Sequence, residues 1–181
     1  MTQEIIFAGF GGQGILSMGK FLAYGGMDHG MHVSWCPSYG PEMRGGTANC
    51  SVILSDEEIG SPIITAPDTL VVMNRPSLDK FEDTVKPGGL IILDSNLVNR
   101  PVTRTDVRVV SIPSQTIADE IGSKTIANMV LLGALVELTK VIPMEELLNS
   151  LKEHGKEKFF ELNKKAIDKG VEYSSPVLMT V

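Results

Sequence analysis

A glycine-rich stretch near the N-terminus has the residue types and spacing to bind phosphate. Gly9, Gly11 and Gly14 follow an apolar run at residues 4–8 and precede residues 15–27, which have a helical pattern. A glycine turn between a strand and a helix lets a ligand approach the backbone closely. The helix N-terminus then presents unpaired N–H groups and the positive end of its dipole. The spacing matches the Gly-x-Gly-x-x-Gly dinucleotide fingerprint, and Gly12 and Gln13 complete the turn.

The rest of a dinucleotide site is missing from the sequence. Such a site places an acidic residue about twenty positions further on, at the end of the second strand, to bind the ribose hydroxyls. Here the second apolar run, residues 32–35, is followed by Cys36 and Pro37, and the next acid is Glu42 in a loop. The pattern therefore favours a Rossmann-like scaffold without a standard dinucleotide. In the alternative interpretation, the glycines only let the helix pack closely on the sheet.

Residues 38–49 form a second unusual segment. A Gly-Pro step predicts a turn after Tyr39, and Gly45 and Gly46 allow backbone angles that are closed to other residues. Glu42 and Arg44 lie between these features. They can pair with each other, or the planar guanidinium of Arg44 can bind a phosphate or carboxylate.

The elements that must position these residues follow from the apolar patterns. Six runs are predicted as strands: residues 5–8, 33–35, 48–54, 70–73, 90–93 and 107–112. Six stretches are predicted as helices: residues 15–27, 77–85, 115–121, 126–140, 144–154 and 156–169. This alternation indicates an α/β fold, a Rossmann-like three-layer sandwich whose mostly parallel sheet is flanked by helices. No helix separates the second and third strands, which predicts an antiparallel pair and a partly mixed sheet. Residues 63–64 are predicted as a further short strand.

A single domain is expected over residues 1–181, with residues 171–181 as a C-terminal strap or arm. Gly170 is predicted to end the last helix. Beyond it, Ser174, Ser175 and Pro176 are predicted to break any helix, while the last residues are apolar and uncharged. The favoured interpretation is a final strand or strap on the domain. The alternative is an arm that docks on a partner.

The composition excludes several functions. A net charge of −6 argues against binding to nucleic acid, because phosphate neutralisation needs clustered Lys and Arg. No apolar stretch is long enough to cross a bilayer, so no membrane association is expected. Two cysteines and no visible export signal predict the reduced cytoplasm. Two cysteines are too few for a cubane cluster, which needs four thiolates, and the histidines lack metal-binding spacing.

The two motifs together resemble a known family. Gly-Phe-Gly-Gly-Gln-Gly at residues 9–14, followed by Ser-Tyr-Gly-Pro-Glu-Met-Arg-Gly-Gly-Thr-Ala-Asn at residues 38–49, is similar to the gamma subunit of the 2-oxoacid:ferredoxin (acceptor) oxidoreductases. The similarity extends over nearly the whole length. The 2-oxoglutarate branch is the nearest, although pyruvate and branched-chain enzymes have similar gamma subunits.

The resemblance implies a role in a larger enzyme. The family decarboxylates a 2-oxoacid on thiamine diphosphate, passes electrons through iron–sulfur clusters to ferredoxin or another acceptor, and releases an acyl-CoA. The complex uses thiamine diphosphate, Mg, iron–sulfur clusters and coenzyme A, and it contains alpha, beta and delta (ferredoxin-like) subunits. The gamma subunit completes the complex near the entrance for coenzyme A or substrate. This chain alone is therefore expected to bind none of these cofactors and to be inactive. In isolation it can instead form a homodimer.

The resemblance also assigns candidate residues. Contacts with coenzyme A phosphates, or a subunit interface, are expected at Gly9, Gly11, Gly12, Gln13, Gly14 and Arg44. An interface or lining role is expected for Tyr39, Glu42, Gly45, Gly46 and Arg75. No catalytic residue and no metal ligand are expected. Asn74 and residues 94–96, at predicted strand ends, rank below these two groups.

Two other functions remain open at this point. The Gly9, Gly11 and Gly14 fingerprint would suit a stand-alone nucleotide-binding oxidoreductase. Cys36, just past a strand, would suit a thiol-based function, which needs a neighbouring positive charge or helix N-terminus. A buried and unreactive Cys36 is the favoured alternative.

Overall fold

One six-stranded sheet organises the chain, and a computed structural model describes residues 1–39 and 46–178, without the side chains of Tyr39, Val177 and Leu178. The strands lie in the order β2-β3-β1-β4-β5-β6. Their bounds are β1 Thr2–Phe10, β2 His32–Tyr39, β3 Thr47–Ser55, β4 Thr69–Val72, β5 Leu90–Asp94 and β6 Arg108–Ile112. β4 and β5 are buried along their whole length, which explains why their sequences are continuously apolar rather than alternating.

The sheet is parallel on one side and antiparallel on the other. β1, β4, β5 and β6 are parallel neighbours, whereas β3 runs antiparallel to both β1 and β2. The predicted mixed sheet is thereby confirmed. At the carboxyl end of β1, Phe10 pairs with Thr47, the first residue of β3. The segment that joins β2 to β3 therefore begins and ends at the same edge as the glycine turn.

Six helices flank the sheet. Their bounds are α1 Ile15–Asp28, α2 Arg75–Phe81, α3 Ser114–Ile121, α4 Ala127–Thr139, α5 Met144–His154 and α6 Glu157–Leu178. Two apolar clusters form the core. The larger joins one face of the sheet to residues of α1, α3, α4, α5 and α6, while the smaller joins the other face to Leu78 of α2 and neighbouring loops. This layering confirms the predicted α/β fold with helices on both faces.

The long helix α6 corrects the prediction for the C-terminus. Gly170 does not end it, because the helix continues to Leu178 through Ser174, Ser175 and Pro176. Gly170 serves a different purpose: a Cβ there would lie 2.0 Å from the Val130 carbonyl oxygen of α4. The hydroxyl groups of Ser174 and Ser175 donate to carbonyl oxygens of the preceding turn. A docking role for this end of the chain stays a prediction, and residues 179–181 lie outside the described residues.

Two further findings concern the remaining predictions. Residues 63–64 form no strand, and Ile63 is largely exposed in a segment that contains Pro62 and Pro67. Among the residues that the structure describes, no helix combines the length and apolarity needed to span a bilayer.

Candidate functional site

The strand order creates a crevice between β1 and β4. The chain leaves β1 for α1 and then builds β3 and β2 on one side, whereas β4, β5 and β6 extend the sheet on the other. Ligands of open α/β sheets bind outside the carboxyl ends of the strands at such a switch point. Residues 11–14 follow β1 there, and Asn74 follows β4 one residue beyond Met73.

The glycine turn has a conformation that only glycine adopts easily. Gly12 has a φ of 91° and Gly14 a φ of 75°, both in the left-handed region. Gly14 is the N-cap of α1, and no side chain of the described residues caps this helix end. The first N–H groups of α1 therefore lack a side-chain acceptor there.

Gln13 holds the turn rather than offering its side chain to a ligand. Its Oε1 accepts a hydrogen bond from the Phe10 N–H at 2.6 Å, and its Nε2 donates to the Met73 carbonyl at 3.3 Å. The side chain thereby ties the end of β1 to the end of β4. A Cβ at Gly9 would lie 2.6 Å from the same Oε1, so Gly9 leaves room for Gln13.

The two glycine-rich segments meet in the folded chain. The Gly11 N–H donates to the Gly46 carbonyl at 3.0 Å, so this N–H is occupied. Gly46 therefore lies next to the glycine turn, as expected for a shared surface. Glu42, Arg44 and Gly45 fall outside the described residues, as does the side chain of Tyr39.

A cavity of about 210 Å³ lies in the crevice and includes two of the predicted residues, Gly12 and Gln13. The rest of its lining is Met73, Gln115, Lys124, Thr125 and Ala127. Ala127 is the first residue of α4, which continues a short 3₁₀ helix at Lys124–Ile126 that is capped by the Ser123 side chain. The glycine turn, the start of α4 and the cationic Lys124 thus line one cavity, an arrangement that favours an anion.

Two buried asparagines, Asn74 and Asn128, directly follow the cavity residues Met73 and Ala127 in the chain. Asn74 Oδ1 accepts from the Ser77 N–H at 2.8 Å and caps α2, while Asn128 Nδ2 donates to the Gly14 carbonyl at 3.2 Å. The other amide atoms, Asn74 Nδ2 and Asn128 Oδ1, are buried and have no hydrogen-bond partner within residues 1–39 and 46–178. Unsatisfied buried polar atoms are rare and commonly mark a place where a water or ligand binds.

Asp94 is a buried carboxyl group at the end of β5. Burial raises its pKa, and hydrogen bonds from the Asn96 N–H at 3.0 Å and from Gln115 Nε2 at 3.2 Å offset this only in part. Gln115 also lines the cavity, so Asp94 positions a residue of the crevice without lining it.

The sequence prediction and the structure differ on several site residues. Arg75 begins α2 with an exposed side chain 3.7 Å from Asp79, and it does not line the cavity. The prediction omitted Gln115, Lys124 and Asn128. A signal for Asn128 exists, since it is a lone polar residue near the start of an uncharged apolar run, and a buried amide there needs a partner.

The sheet argues against a dinucleotide site. In the NAD-binding fold, the second strand lies beside the first and carries the acid for the ribose. Here β3 separates β1 from β2, which places the end of β2 two strand spacings, about 10 Å, from β1. The stand-alone oxidoreductase therefore finds no support in this topology.

The cysteines and the metal-ligating residues lie apart from the crevice. Cys36 is exposed, which makes the expectation of a buried Cys36 wrong, since alternation along the edge strand β2 turns it to solvent. Burial raises the pKa of Cys50 to about 12. Within the described residues, one group has metal-ligand spacing, Asp28, Glu153 and His154, and all three are exposed.

Comparison with known proteins identifies relatives of this chain. The ketoisovalerate oxidoreductase subunit VorA of Methanothermobacter thermautotrophicus is 42% identical over 94% of this chain. The chain spans only 36% of the length of that relative. The 2-oxoglutarate synthase subunit KorC of Methanocaldococcus jannaschii is 36% identical, and the match covers 95% of this chain and 94% of KorC.

Solved structures have the same fold. A keto/oxoacid ferredoxin oxidoreductase gamma subunit from Geobacter sulfurreducens matches with a TM-score of 0.87 and 32% identity, over 96% of this chain and 97% of that chain. A 2-oxoglutarate:ferredoxin oxidoreductase from Magnetococcus marinus, solved with 2-oxoglutarate, coenzyme A and succinyl-CoA bound, matches with a TM-score of 0.88 and 29% identity. That match covers 97% of this chain and 31% of the other. The model of the pyruvate ferredoxin/flavodoxin oxidoreductase family matches residues 4–173. The resemblance of the two glycine motifs is thereby confirmed, and the chain belongs to the pyruvate ferredoxin/flavodoxin oxidoreductase family.

Proposed function

We propose that the chain is the gamma subunit of a 2-oxoacid oxidoreductase and that its crevice binds a phosphate group of coenzyme A beside partner subunits. One observation carries the proposal. The glycine turn, the first residue of α4 and Lys124 line one cavity at the switch point of the sheet. Backbone N–H groups and a cation are the donors that a phosphate prefers.

The size of the cavity limits what the chain holds by itself. Its volume of about 210 Å³ is below the roughly 300–1,000 Å³ of ordinary cofactor sites. A phosphate group fits this space, whereas the rest of coenzyme A must lie outside it, against partner subunits. The Magnetococcus marinus enzyme, solved with coenzyme A bound, supports this assignment. Arg44 and the interface residues Tyr39, Glu42, Gly45, Gly46 and Arg75 belong to the same proposal.

The redox chemistry is proposed to reside in the partners. Thiamine diphosphate with Mg and the iron–sulfur clusters would be held by alpha, beta and delta subunits. Of the two cysteines in this chain, Cys50 is buried at the interface of α1 and the sheet, and Cys36 lies on β2. The chain then contributes a surface and a phosphate subsite. A cytoplasmic location belongs to the proposal on the basis of its cysteine use.

We propose 2-oxoglutarate as the oxoacid of the assembled enzyme. Supporting this choice, KorC is similar over nearly its full length, so it has the same subunit size. VorA, with the higher identity, is matched over about a third of its length. Turnover of the assembled complex with 2-oxoglutarate and with ketoisovalerate separates the two substrates. A higher kcat/KM for ketoisovalerate would contradict the proposal.

The phosphate subsite can be tested on the purified chain by titration with coenzyme A and with pantetheine, which lacks phosphate groups. Binding of coenzyme A alone is expected. Lys124→Gln should weaken binding about fivefold, the effect of losing one exposed charge pair. Lys152→Gln is the control, because it removes one positive charge from the exposed face of α5. Equal weakening in both variants, or equal binding of both ligands, would rule out the subsite.

Subunit assembly needs a separate test. Coexpression with candidate alpha and beta chains should give a complex in which the chain copurifies and turnover requires all subunits. Arg44→Ala should reduce copurification or raise the KM for coenzyme A. Normal assembly and normal kinetics in this variant would remove Arg44 from the proposed interface.

A further inference from the structure

The edge of the sheet at β2 has no strand beside it. β2 pairs with β3 on one side and is the last strand in the order of the sheet. Within the part of the chain that the structure describes, no backbone–backbone hydrogen bond outside the β2–β3 ladder involves residues 32–39. The outward N–H and C=O groups of this eight-residue strand therefore lack a strand partner.

The sequence of β2 does little to protect this edge. Edge strands are commonly protected by charged side chains, by proline or by being short. β2 is long for an edge strand and contains no Asp, Glu, Lys or Arg. Its one proline, Pro37, lies near the end that joins the second glycine segment, so residues 32–36 keep all their backbone donors. This part of β2 can accept a further strand.

A groove of about 180 Å³ runs along the same edge, between β2 and α1. Two glycines bring the helix close to the strand. A Cβ at Gly26 would lie 3.2 Å from Val33 Cγ2, and a Cβ at Gly19 would lie 3.1 Å from Trp35 Nε1. No residue of β3 lines the groove, which places it at the outer border of the sheet. Its lining consists of Lys20, Ala23, Tyr24, Met27, Val33 and Trp35.

The groove combines exposed apolar side chains with one cation. Met27 is 57% exposed and Trp35 is 36% exposed, although both are large and apolar. Lys20 Nζ lies 5.7 Å from the centroid of the Tyr24 ring and pairs with no carboxylate of the described residues. A segment that offers apolar side chains and a carboxylate would complement this surface.

The segments outside the described residues are too short to cover this edge. Residues 40–45 must leave β2 and return to the adjacent strand β3, so they extend at most about 12 Å. Val33 lies six residues, or about 20 Å, from the end of β2. Residues 179–181 follow α6, which packs against β6 at the opposite edge of the sheet.

We propose that the edge of β2 binds an extended segment of a partner polypeptide as a further strand, with apolar side chains in the groove and a carboxylate beside Lys20. Backbone hydrogen bonds of the added strand satisfy the outward groups of β2. Because side chains alternate along a strand, every second one lies on the same face as Val33 and Trp35 and meets α1.

A second copy of this chain fits the edge less well than a different polypeptide. Its own β2 has no carboxylate to place beside Lys20, and two copies that each carry a net charge of −6 repel. The groove shares no residue with the cavity of the proposed phosphate subsite. Peptide binding and coenzyme A binding can therefore fail independently of each other.

The test uses the full chain and the fluorescence of Trp35, which is the single tryptophan. The probe is the peptide acetyl-Thr-Val-Thr-Leu-Thr-Glu-Thr-amide, whose Val, Leu and Glu share one face of an extended strand. Its titration should give a saturable blue shift with half-saturation at about 0.1–1 mM, because a free peptide loses entropy when it is ordered. Hydrogen exchange of the amides of residues 32–36 should slow at the same concentrations.

Two modified peptides separate the contributions of the backbone and the charge. N-methylation of every amide keeps the side chains but removes the donors, and it should abolish binding. Replacing Glu by Lys in the peptide should weaken binding about threefold, the effect of an exposed charge pair. Equal binding of the methylated peptide, or a flat titration with the original peptide, would overturn the proposal.

Variants of the chain locate the site. Met27→Ser should weaken peptide binding about fivefold, whereas Ile63→Ser, at an exposed apolar residue outside the groove, should leave it unchanged. Lys20→Gln should remove the preference for the Glu peptide over the Lys peptide. Equal loss in the two serine variants, or an unchanged preference in Lys20→Gln, would contradict the proposal. So would a dimer in sedimentation velocity that Met27→Ser dissociates and the peptide does not, because the occupant would then be a second copy.

Discussion

The side-chain amide of Asn128 donates a hydrogen bond of 3.2 Å to the main-chain carbonyl of Gly14. A Cβ at Gly14 would lie 2.3 Å from the same nitrogen atom. The first turn of α1 and the first turn of α4 are therefore held together at a contact that has no room for a side chain. This contact places the start of α4, which lines the cavity, beside the N-cap of α1.

Gly14→Ala is expected to destabilise the chain by about 2–4 kcal/mol. The left-handed φ of 75° costs an alanine about 1 kcal/mol or more, and the displaced Asn128 adds an overpacking cost. Gly60→Ala is the matched control, because it has an ordinary φ and no heavy atom within 4 Å of the added Cβ. Urea denaturation measures both variants. Similar urea midpoints for Gly14→Ala and Gly60→Ala would mean that α1 and α4 move apart at this contact without a loss of stability.

Gly170→Ala tests the contact between α6 and α4. In a helix interior this change ordinarily stabilises by about 1 kcal/mol. Here the added methyl group would lie 2.0 Å from the Val130 carbonyl oxygen, so a loss of about 2 kcal/mol or more is expected. Glu172→Ala, on the exposed face of the same helix, should stay within about 0.5 kcal/mol. An increase in Tm for Gly170→Ala would contradict the close approach.

Glu82 makes stability depend on pH in the acidic range. Burial alone would raise its pKa, but hydrogen bonds from Thr103 and Arg100 outweigh this and leave the pKa below its usual value of 4.5. The stabilisation is complete above that value and is lost as the pH falls through the lowered pKa. Glu82→Gln should therefore cost about 2 kcal/mol at pH 7 and progressively less below about pH 4. Urea denaturation of both proteins across this pH range measures the loss of stability. Glu57→Gln, at an exposed position, is the control. A loss of stability in Glu82→Gln that does not depend on pH would contradict the prediction.

Asp94 should make stability depend on pH in the opposite direction. Burial raises its pKa, so the native state keeps the proton to a higher pH than the unfolded state does. Stability falls as the pH rises from about 3.8 through the raised pKa, and then stays level. Asp94→Asn cannot ionise and is expected to remove this fall, so its stability should not decrease between pH 4 and pH 7. Thermal unfolding at several pH values measures how the stability of each protein depends on pH. An Asp94→Asn variant that is less stable at pH 7 than at pH 4 would contradict the prediction.

Alkylation distinguishes the two cysteines. Cys36 is exposed, whereas burial removes Cys50 from solvent and raises its pKa to about 12. Iodoacetamide at pH 8 should modify Cys36 at least about tenfold faster, because the thiolate is the reactive form. Mass spectrometry of peptides gives both rates, and in denaturant the rates should become equal. Equal rates in the native chain would mean that α1 opens readily from the sheet.

Much of the fold could be predicted because local patterns decide it. The apolar runs of β4 and β5 identify buried strands, and the missing helix between β2 and β3 identifies the antiparallel pair. The start of α2 was placed two residues late, although Asn74 and Pro76 form a standard N-terminal signal. Local patterns failed at Gly170, where a contact with Val130, distant in sequence, determines the role of the glycine.

The site was predicted less completely than the fold. Gly12 and Gly14 could be identified because a positive φ has a sequence signature in glycine. Lys124, Gln115 and Asn128 come from segments more than a hundred residues away, and only the return of the chain after β6, through α3 to the start of α4, brings them to the turn.

The insertion of β3 between β1 and β2 has a consequence for engineering. Converting this scaffold into a nicotinamide-dependent reductase by adding an aspartate after β2 should fail, because the new carboxylate would lie two strand spacings, about 10 Å, from the turn after β1. A designer would first have to remove β3 and reroute the backbone so that the second strand lies beside β1.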